Sequence, residues 1–218
     1  VKAIDLQPDS DRGYQLLGTY YLTRGETELA RVEFEKSIAR APNAVASSNL
    51  GLIHYQAGRF AEAATAFEQA IRIRPRDVVY HRNLGDTYRR LGRSADAHAE
   101  YQKVIDFAQA DLAVNASNAS ALSLAALCEA KIGQFAKAKA DVARALAMRP
   151  ASSEILYRQA AVLALANDVP RALEALQKAL DAGSSVAILR EDDDFMKLRG
   201  KPEFETLVNR PPKDPSKE

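Results

Sequence analysis

The chain has no tryptophan, one cysteine, two methionines and three histidines among its 218 residues. A single cysteine excludes an intrachain disulfide framework; Cys128 lies in an apolar run and reads as a small core residue. An excess of one charge is also missing. Thirty Lys+Arg against 29 Asp+Glu leave a formal net charge of +1, so no global field favours nucleic acid or a membrane surface. No apolar run approaches the roughly 20 residues that span a bilayer. There is no phosphate loop, nucleophile elbow or dinucleotide fingerprint. Of the three histidines, His54, His81 and His98, the first two have no accompanying cysteine or closely spaced acid, which leaves no zinc set. His54 and His81 fall on packing positions of successive helices, where they are able to approach each other. The four acids Glu191 to Asp194 lack the glycine and alternating spacing of a calcium loop and read as a solvated helix start. Asn115-Ala-Ser and Asn118-Ala-Ser match the glycosylation sequon, but turn chemistry accounts for them. No enzyme activity, cofactor or metal is expected.

What is present is helix. Glycines number ten and alanine is abundant, which suits closely packed helices and argues against a sheet. The stretch from Asn49 to Pro75 shows the unit. Leu50, Ile53 and His54 share one face of a first helix, and Gly51 is small enough for a second helix to approach closely. Gly58 suits a left-handed cap. Phe60, Ala63, Phe67, Ala70 and Ile71 then recur at steps of three and four, and Pro75 stops the second helix. Two such helices cannot bury their apolar face alone, so the unit needs neighbours.

The neighbours lie in the same chain. Turn residues Gly25, Gly58, Gly92, Gly133 and Asn167 are spaced by 33, 34, 41 and 34. Ala30, Ala63, Ala97, Ala138 and Ala172 repeat those spacings, each followed four residues later by Phe34, Phe67, Tyr101, Val142 or Leu176. The spacing of 41 carries seven extra residues between Tyr101 and Ser120, close to two helical turns. No proline stands at Gln109, and Ile105, Ala108, Leu112 and Ala113 continue an apolar stripe. The second helix is therefore expected to run to about Val114, either as tolerated length or as one wall of a binding or domain contact. Repeat four departs mildly, with Ala126 in place of the glycine; repeat five departs further, with Ala160 for the glycine, Asn167 at the turn and Pro170 at a helix opening, where proline is accepted.

This pattern resembles the tetratricopeptide repeat (TPR) family over residues 11–183, as five units at 11–43, 44–77, 78–118, 119–152 and 153–183. The resemblance implies an all-α fold, an α-solenoid that is a right-handed superhelix of antiparallel helix pairs. Residues 1–10 read as the end of a preceding repeat helix, which implies an excised fragment or a natural N-terminal capping helix. Residues 184–210 resemble the closing segment of TPR arrays in bacterial multidomain proteins. There Val186, Ile188, Leu189, Phe195, Met196, Leu198, Phe204, Leu207 and Val208 would cover the last repeat, with Gly200 and Pro202 punctuating two short helices. Residues 211–218, rich in proline, read as a disordered tail.

The family resemblance also implies a binding groove. In a TPR superhelix the first helices line the concave side, which here would present Arg12, Gln15, Thr19, Asn49, Tyr55, Arg82, Asn83, Asp86, Arg89, Arg90, Tyr157 and Arg158. Asn49 and Asn83 offer amides to a peptide backbone, and Arg82, Arg89 and Arg90 offer charge to carboxylates. The peptide-binding set is Asn49, Tyr55, Arg82, Asn83, Asp86, Arg89 and Arg90. The carboxylate clamp of chaperone-adaptor TPR domains, with Lys and Asn, then Asn, then Lys and Arg, does not fit. The chain offers Gln15 and Thr19, then Asn49, then Val79 and Asn83; starting one repeat later gives Ser48 and Leu52, then Asn83, then Ser120 and Leu124. Expected partners are another protein or a domain of the same full-length protein, with no nucleic acid, membrane or chaperone tail. Two functional readings remain: an interaction scaffold binding a peptide segment or helix, and a regulatory or oligomerising appendage of a larger bacterial enzyme of sulfatase, kinase or cyclase type.

Overall fold

A computed structural model describes residues 10–210 and, within them, all side chains except that of Ile188. The readings placed on residues 1–9, on the tail 211–218 and on the Ile188 side chain lie outside the described residues. The described residues are helical, with no strand among them. First helices α1 (Asp11–Thr23), α3 (Ala44–Gln56), α5 (Val78–Arg90), α7 (Ala119–Lys131) and α9 (Ser153–Leu165) alternate with second helices α2 (Thr27–Arg40), α4 (Phe60–Ile73), α6 (Ser94–Val114), α8 (Phe135–Met148) and α10 (Val169–Asp181). The closing segment adds α11 (Val186–Glu191), a 3-10 turn at Asp193–Leu198 and α12 (Pro202–Val208). Helix α6 has 21 residues where the other second helices have 13 or 14.

Contacts divide the chain into two compact units, the first ending at Lys103 and the second beginning at Val104, within α6. In each, a first helix packs on the second helix of its own repeat, and successive first helices touch: α1 with α3 and α3 with α5 in the first unit, α7 with α9 in the second.

The two kinds of helix begin differently. Every first helix has a side-chain N-cap, Ser10, Asn43, Asp77, Asn118 or Ser152, accepting from a backbone N–H of the first turn. Such caps satisfy donors that no helical carbonyl can reach. The second helices α2, α4, α8 and α10 have no side-chain cap. They start instead from the turn that ends the first helix. There a backbone N–H reaches five residues back: Glu26 to Tyr21, Arg59 to His54, Arg93 to Tyr88, Gln134 to Glu129 and Asp168 to Leu163. This closure needs a left-handed residue, supplied by glycine in four turns and by Asn167 at φ 60° in the fifth.

The small residue of each first helix is matched to the large residue of the second. A Cβ added at Gly18, Gly51 or Gly85 would stand 2.7, 2.8 or 2.7 Å from the ring of Phe34, Phe67 or Tyr101. The rings lie against the glycine backbone, and no larger residue fits without displacing them. In the second unit Ala126 shares a core cluster with Val142, and Ala160 shares one with Leu176. The slimmer aliphatic partner leaves room for the extra methyl. The alanines are thus the complement of a smaller neighbour.

Acids are buried at one recurrent place, three residues beyond the alanine of the second helix: Glu33, Glu100 and Asp141. Each pairs with a base three residues on, Lys36, Lys103 or Arg144. Glu100 has a second partner in the buried His81, whose Nδ1 lies 2.5 Å from Glu100 Oε2 and whose Nε2 lies 2.9 Å from the Pro75 carbonyl. His54 instead accepts from Arg59 Nε at 3.0 Å. The two histidines thus have separate partners in successive repeats.

Candidate functional site

Successive first helices of the first unit present one row of side chains each, because steps of three and four fall on one helical face. On α3, Asn49, Leu52 and Tyr55 are half-buried or exposed; on α5, Val79, Arg82, Asn83, Asp86, Arg89 and Arg90 are. The structure brings the sequence-derived set together on these two neighbouring helices, and it also shows what each side chain already touches. Arg82 Nη2 donates to Asn83 Oδ1 at 3.2 Å. Its Nε is enclosed and has no hydrogen-bond partner. Asp86 accepts from the Tyr101 hydroxyl at 2.7 Å, and Arg89 stands 3.9 Å from the same carboxylate oxygen. The Arg90 guanidinium lies 4.6 Å above the centre of the Phe60 ring, which meets Tyr55 edge-on at 5.3 Å. Arg90 and Tyr55 are therefore held in a cation–aromatic stack. On α1, Gln15 and Thr19 bond to each other, Nε2 to Oγ1 at 3.1 Å, while Arg12 is exposed.

The two groove residues expected in repeat five are engaged inside the second unit. Tyr157 donates to Asp192 Oδ2 at 2.8 Å and stands edge-on to Phe195 at 5.3 Å. Arg158 donates to the Ser120 carbonyl at 3.1 Å and Ser123 Oγ at 2.8 Å, and pairs with Glu154 at 2.6 Å. Arg158 therefore ties α9 to α7.

The closing segment accounts for Tyr157. It was expected to cover the last repeat, and Leu189, Phe195, Leu198, Phe204, Leu207 and Val208 are buried in one cluster with residues of α9 and α10 and with Leu127 of α7. Two sequence expectations need correction. Met196 is 53% exposed, because it points away from the cluster that Phe195 and Leu198 enter. The acid run is not a solvated helix start throughout. Asp194 is buried and its Oδ1 meets Lys131 Nζ at 2.5 Å, with both side chains almost fully enclosed. Asp192 accepts from the Asp194 backbone N–H at 2.9 Å. Burial, and then the nearby Asp194 charge, push the Asp192 carboxyl above its usual range. Lys131 was missed from the sequence. Its signal is slight: a lysine closing an otherwise apolar helix, with an acid run far along the chain.

Among the described residues, no cluster of three or more potential metal ligands is found, and no helix is long and apolar enough to cross a membrane.

A family model described as tetratricopeptide repeat matches residues 16–78, 48–113 and 125–187. No curated protein sequence matches the chain significantly. Among solved structures, a thermophilic TPR protein of Thermus thermophilus is 19% identical, with TM-score 0.59 over 91% of this chain and 98% of that one. PilF of Pseudomonas aeruginosa is 18% identical, with TM-score 0.58 over 90% and 96%. YrrB, described as a TPR protein with an unusual peptide-binding site, is 21% identical, with TM-score 0.50 over 84% and 91%. With three family matches lying along the alternating helix pairs, each a capped first helix and a turn-started second helix, the chain belongs to the tetratricopeptide repeat family.

Proposed function

We propose that the chain is a protein-interaction scaffold that holds a segment of a partner protein on the first-helix face of its first unit. The observation that carries this reading is a contrast in exposure at one repeat position. Leu52 of α3 is 37% exposed, whereas Leu127, its counterpart on α7, is 5% exposed beneath the closing segment. A large apolar side chain left open beside half-buried amides and guanidinium groups is the composition of a recognition surface. The peptide-binding description of YrrB, a relative in fold, is consistent with this use.

Asn49 and Asn83 supply amides for a partner backbone. Arg82 and Arg89, half-buried on one line of α5, supply charge whose exposed part is screened by salt. The test is capture of a partner by the purified chain, followed by titration with that partner. Arg82→Ala with Arg89→Ala is expected to weaken affinity at least tenfold while the melting temperature stays nearly constant, and native binding is expected to weaken as salt rises. Undiminished affinity in the double variant would remove the first-helix face from the interaction.

A further inference from the structure

The chain carries its own example of what a first-helix face holds. In the second unit Leu127 and Lys131 are four apart on α7, while Tyr157, Ala161 and Ala164 follow at steps of four and three on α9. Phe195 is buried in one cluster with Leu127, Ala161 and Ala164. Tyr157 fixes Asp192 through its hydroxyl at 2.8 Å, and Lys131 fixes Asp194 at 2.5 Å. An acid, a spacer, an acid and an aromatic ring are thus held by a hydroxyl, a cation and a leucine floor.

Each anchoring position has a counterpart on α3 and α5. Leu52 stands directly after Gly51, as Leu127 stands directly after Ala126. Gln56 falls where Lys131 does. Arg82 stands three residues before Gly85, as Tyr157 stands three before Ala160. Helices α3 and α5 touch one another, as α7 and α9 do. The difference is occupancy: Leu52 is open, and Arg82 keeps an enclosed Nε with no acceptor. The half-buried Arg82 guanidinium carries a charge that a carboxylate complements.

Resting on the groove reading above, we infer that the α3–α5 face binds a partner-protein segment with the chemistry of residues 192–195. A carboxylate meets Arg82 and an aromatic ring covers Leu52. The occupant comes from another protein, because the chain's own Asp194 and Phe195 are buried in the second unit.

The probe is a dye-labelled synthetic peptide, Asp-Asp-Asp-Phe-Met-Lys-Leu, titrated into the full chain and followed by fluorescence anisotropy. Saturable binding is expected. It should weaken at least tenfold with Arg82→Gln or Leu52→Asp, and with peptides carrying Asn for Asp or Ala for Phe. Tyr157→Phe should leave it unchanged. Melting curves establish that each variant is folded; Arg82→Gln alone suffices if Leu52→Asp is not. Binding that falls with Tyr157→Phe but not with Arg82→Gln means the peptide has exchanged into the second unit, and overturns the inference. Absence of binding also overturns it, and a peptide array then separates two failures. If a neutral or basic peptide binds and is lost with Arg82→Gln, the ligand class is wrong and the groove reading stands. If no peptide in the array responds to Arg82→Gln, both fall.

Discussion

The two units use one repeat plan to opposite ends. In the first, aromatic rings press on glycines, and the first-helix face is left with an open leucine, amides and arginines. In the second, aliphatic residues press on alanines, and part of the same face is covered by the closing segment through Tyr157, Lys131 and Leu127. The helical backbone does not impose this difference. It follows from a few side chains at fixed repeat positions, and each can be changed.

The largest effect is expected where the second unit is closed. Asp194→Ala removes the carboxylate that meets the enclosed Lys131 ammonium, and removing one member of a buried pair costs roughly 3–5 kcal/mol. Urea denaturation should show that loss, and hydrogen exchange should localise it to residues 186–208. Glu174→Ala, which breaks an exposed pair with Lys178, should cost far less, because solvent screens such a pair. Equal costs would mean that the closing segment is held by its apolar residues alone.

Next is a pH-dependent contact in the first unit. Burial lowers the His81 pKa, but the Glu100 and Pro75 hydrogen bonds outweigh it and leave the value raised. Burial raises Glu100, and the bonds from His81 and Lys103 reverse that to leave it lowered. The raised histidine contributes stability that is full below its usual value of 6.5 and is lost as pH rises through the folded value. The lowered carboxylate contributes stability present above its usual 4.5 and lost as pH falls through the folded value. The pair should therefore stabilise most between about pH 4.5 and 6.5, by about 1.5–3 kcal/mol, the scale of a hydrogen bond between charged groups. The difference in melting temperature between the native chain and His81→Gln should peak in that window. A flat difference would show that the pair titrates as it does unfolded.

The packing contrast is tested by exchange. Gly51→Ala drives a methyl into the Phe67 ring and should cost roughly 1–3 kcal/mol. Adding Phe67→Leu, which imports the second unit's solution, should recover part of the Gly51→Ala loss in the double variant. A double variant that loses the sum of the two single losses would break the idea that the residues are matched.

The smallest effect is expected on the open face. Arg82→Ala should alter stability by about 1 kcal/mol or less, because the half-buried side chain has an unsatisfied Nε and its hydrogen bond goes to the neighbouring Asn83. A larger drop in the denaturation midpoint would make Arg82 a structural residue and remove it from recognition.

Much of this was legible in the sequence, because a repeat states each physical requirement several times. The turn glycines, the alanine of each second helix and the large residue four beyond it define helices and neighbours together, and the stripe from Ile105 to Ala113 marks the long α6. The candidate face followed from the family resemblance, which says that first helices line the groove, together with helical phase, which says which side chains share a row. The path of the closing segment was not legible. Lys131 and Asp194 belong to different repeats of the pattern, or to none, and the bond between them leaves no periodic trace. Four consecutive acids also look solvated until a buried lysine is known to face one of them. The engagement of Asp86 by Tyr101 and of Arg90 by Phe60 was hidden for the same reason: phase gives a side chain's direction and not its partner.

The matched glycine and ring also bear on how such a repeat can drift. A glycine that mutates first meets the ring at under 3 Å and must displace it. A ring that shrinks first leaves only a cavity, which a later alanine partly refills. The two routes from the first unit's packing to the second's thus pass through different intermediates, one overpacked and one with a cavity.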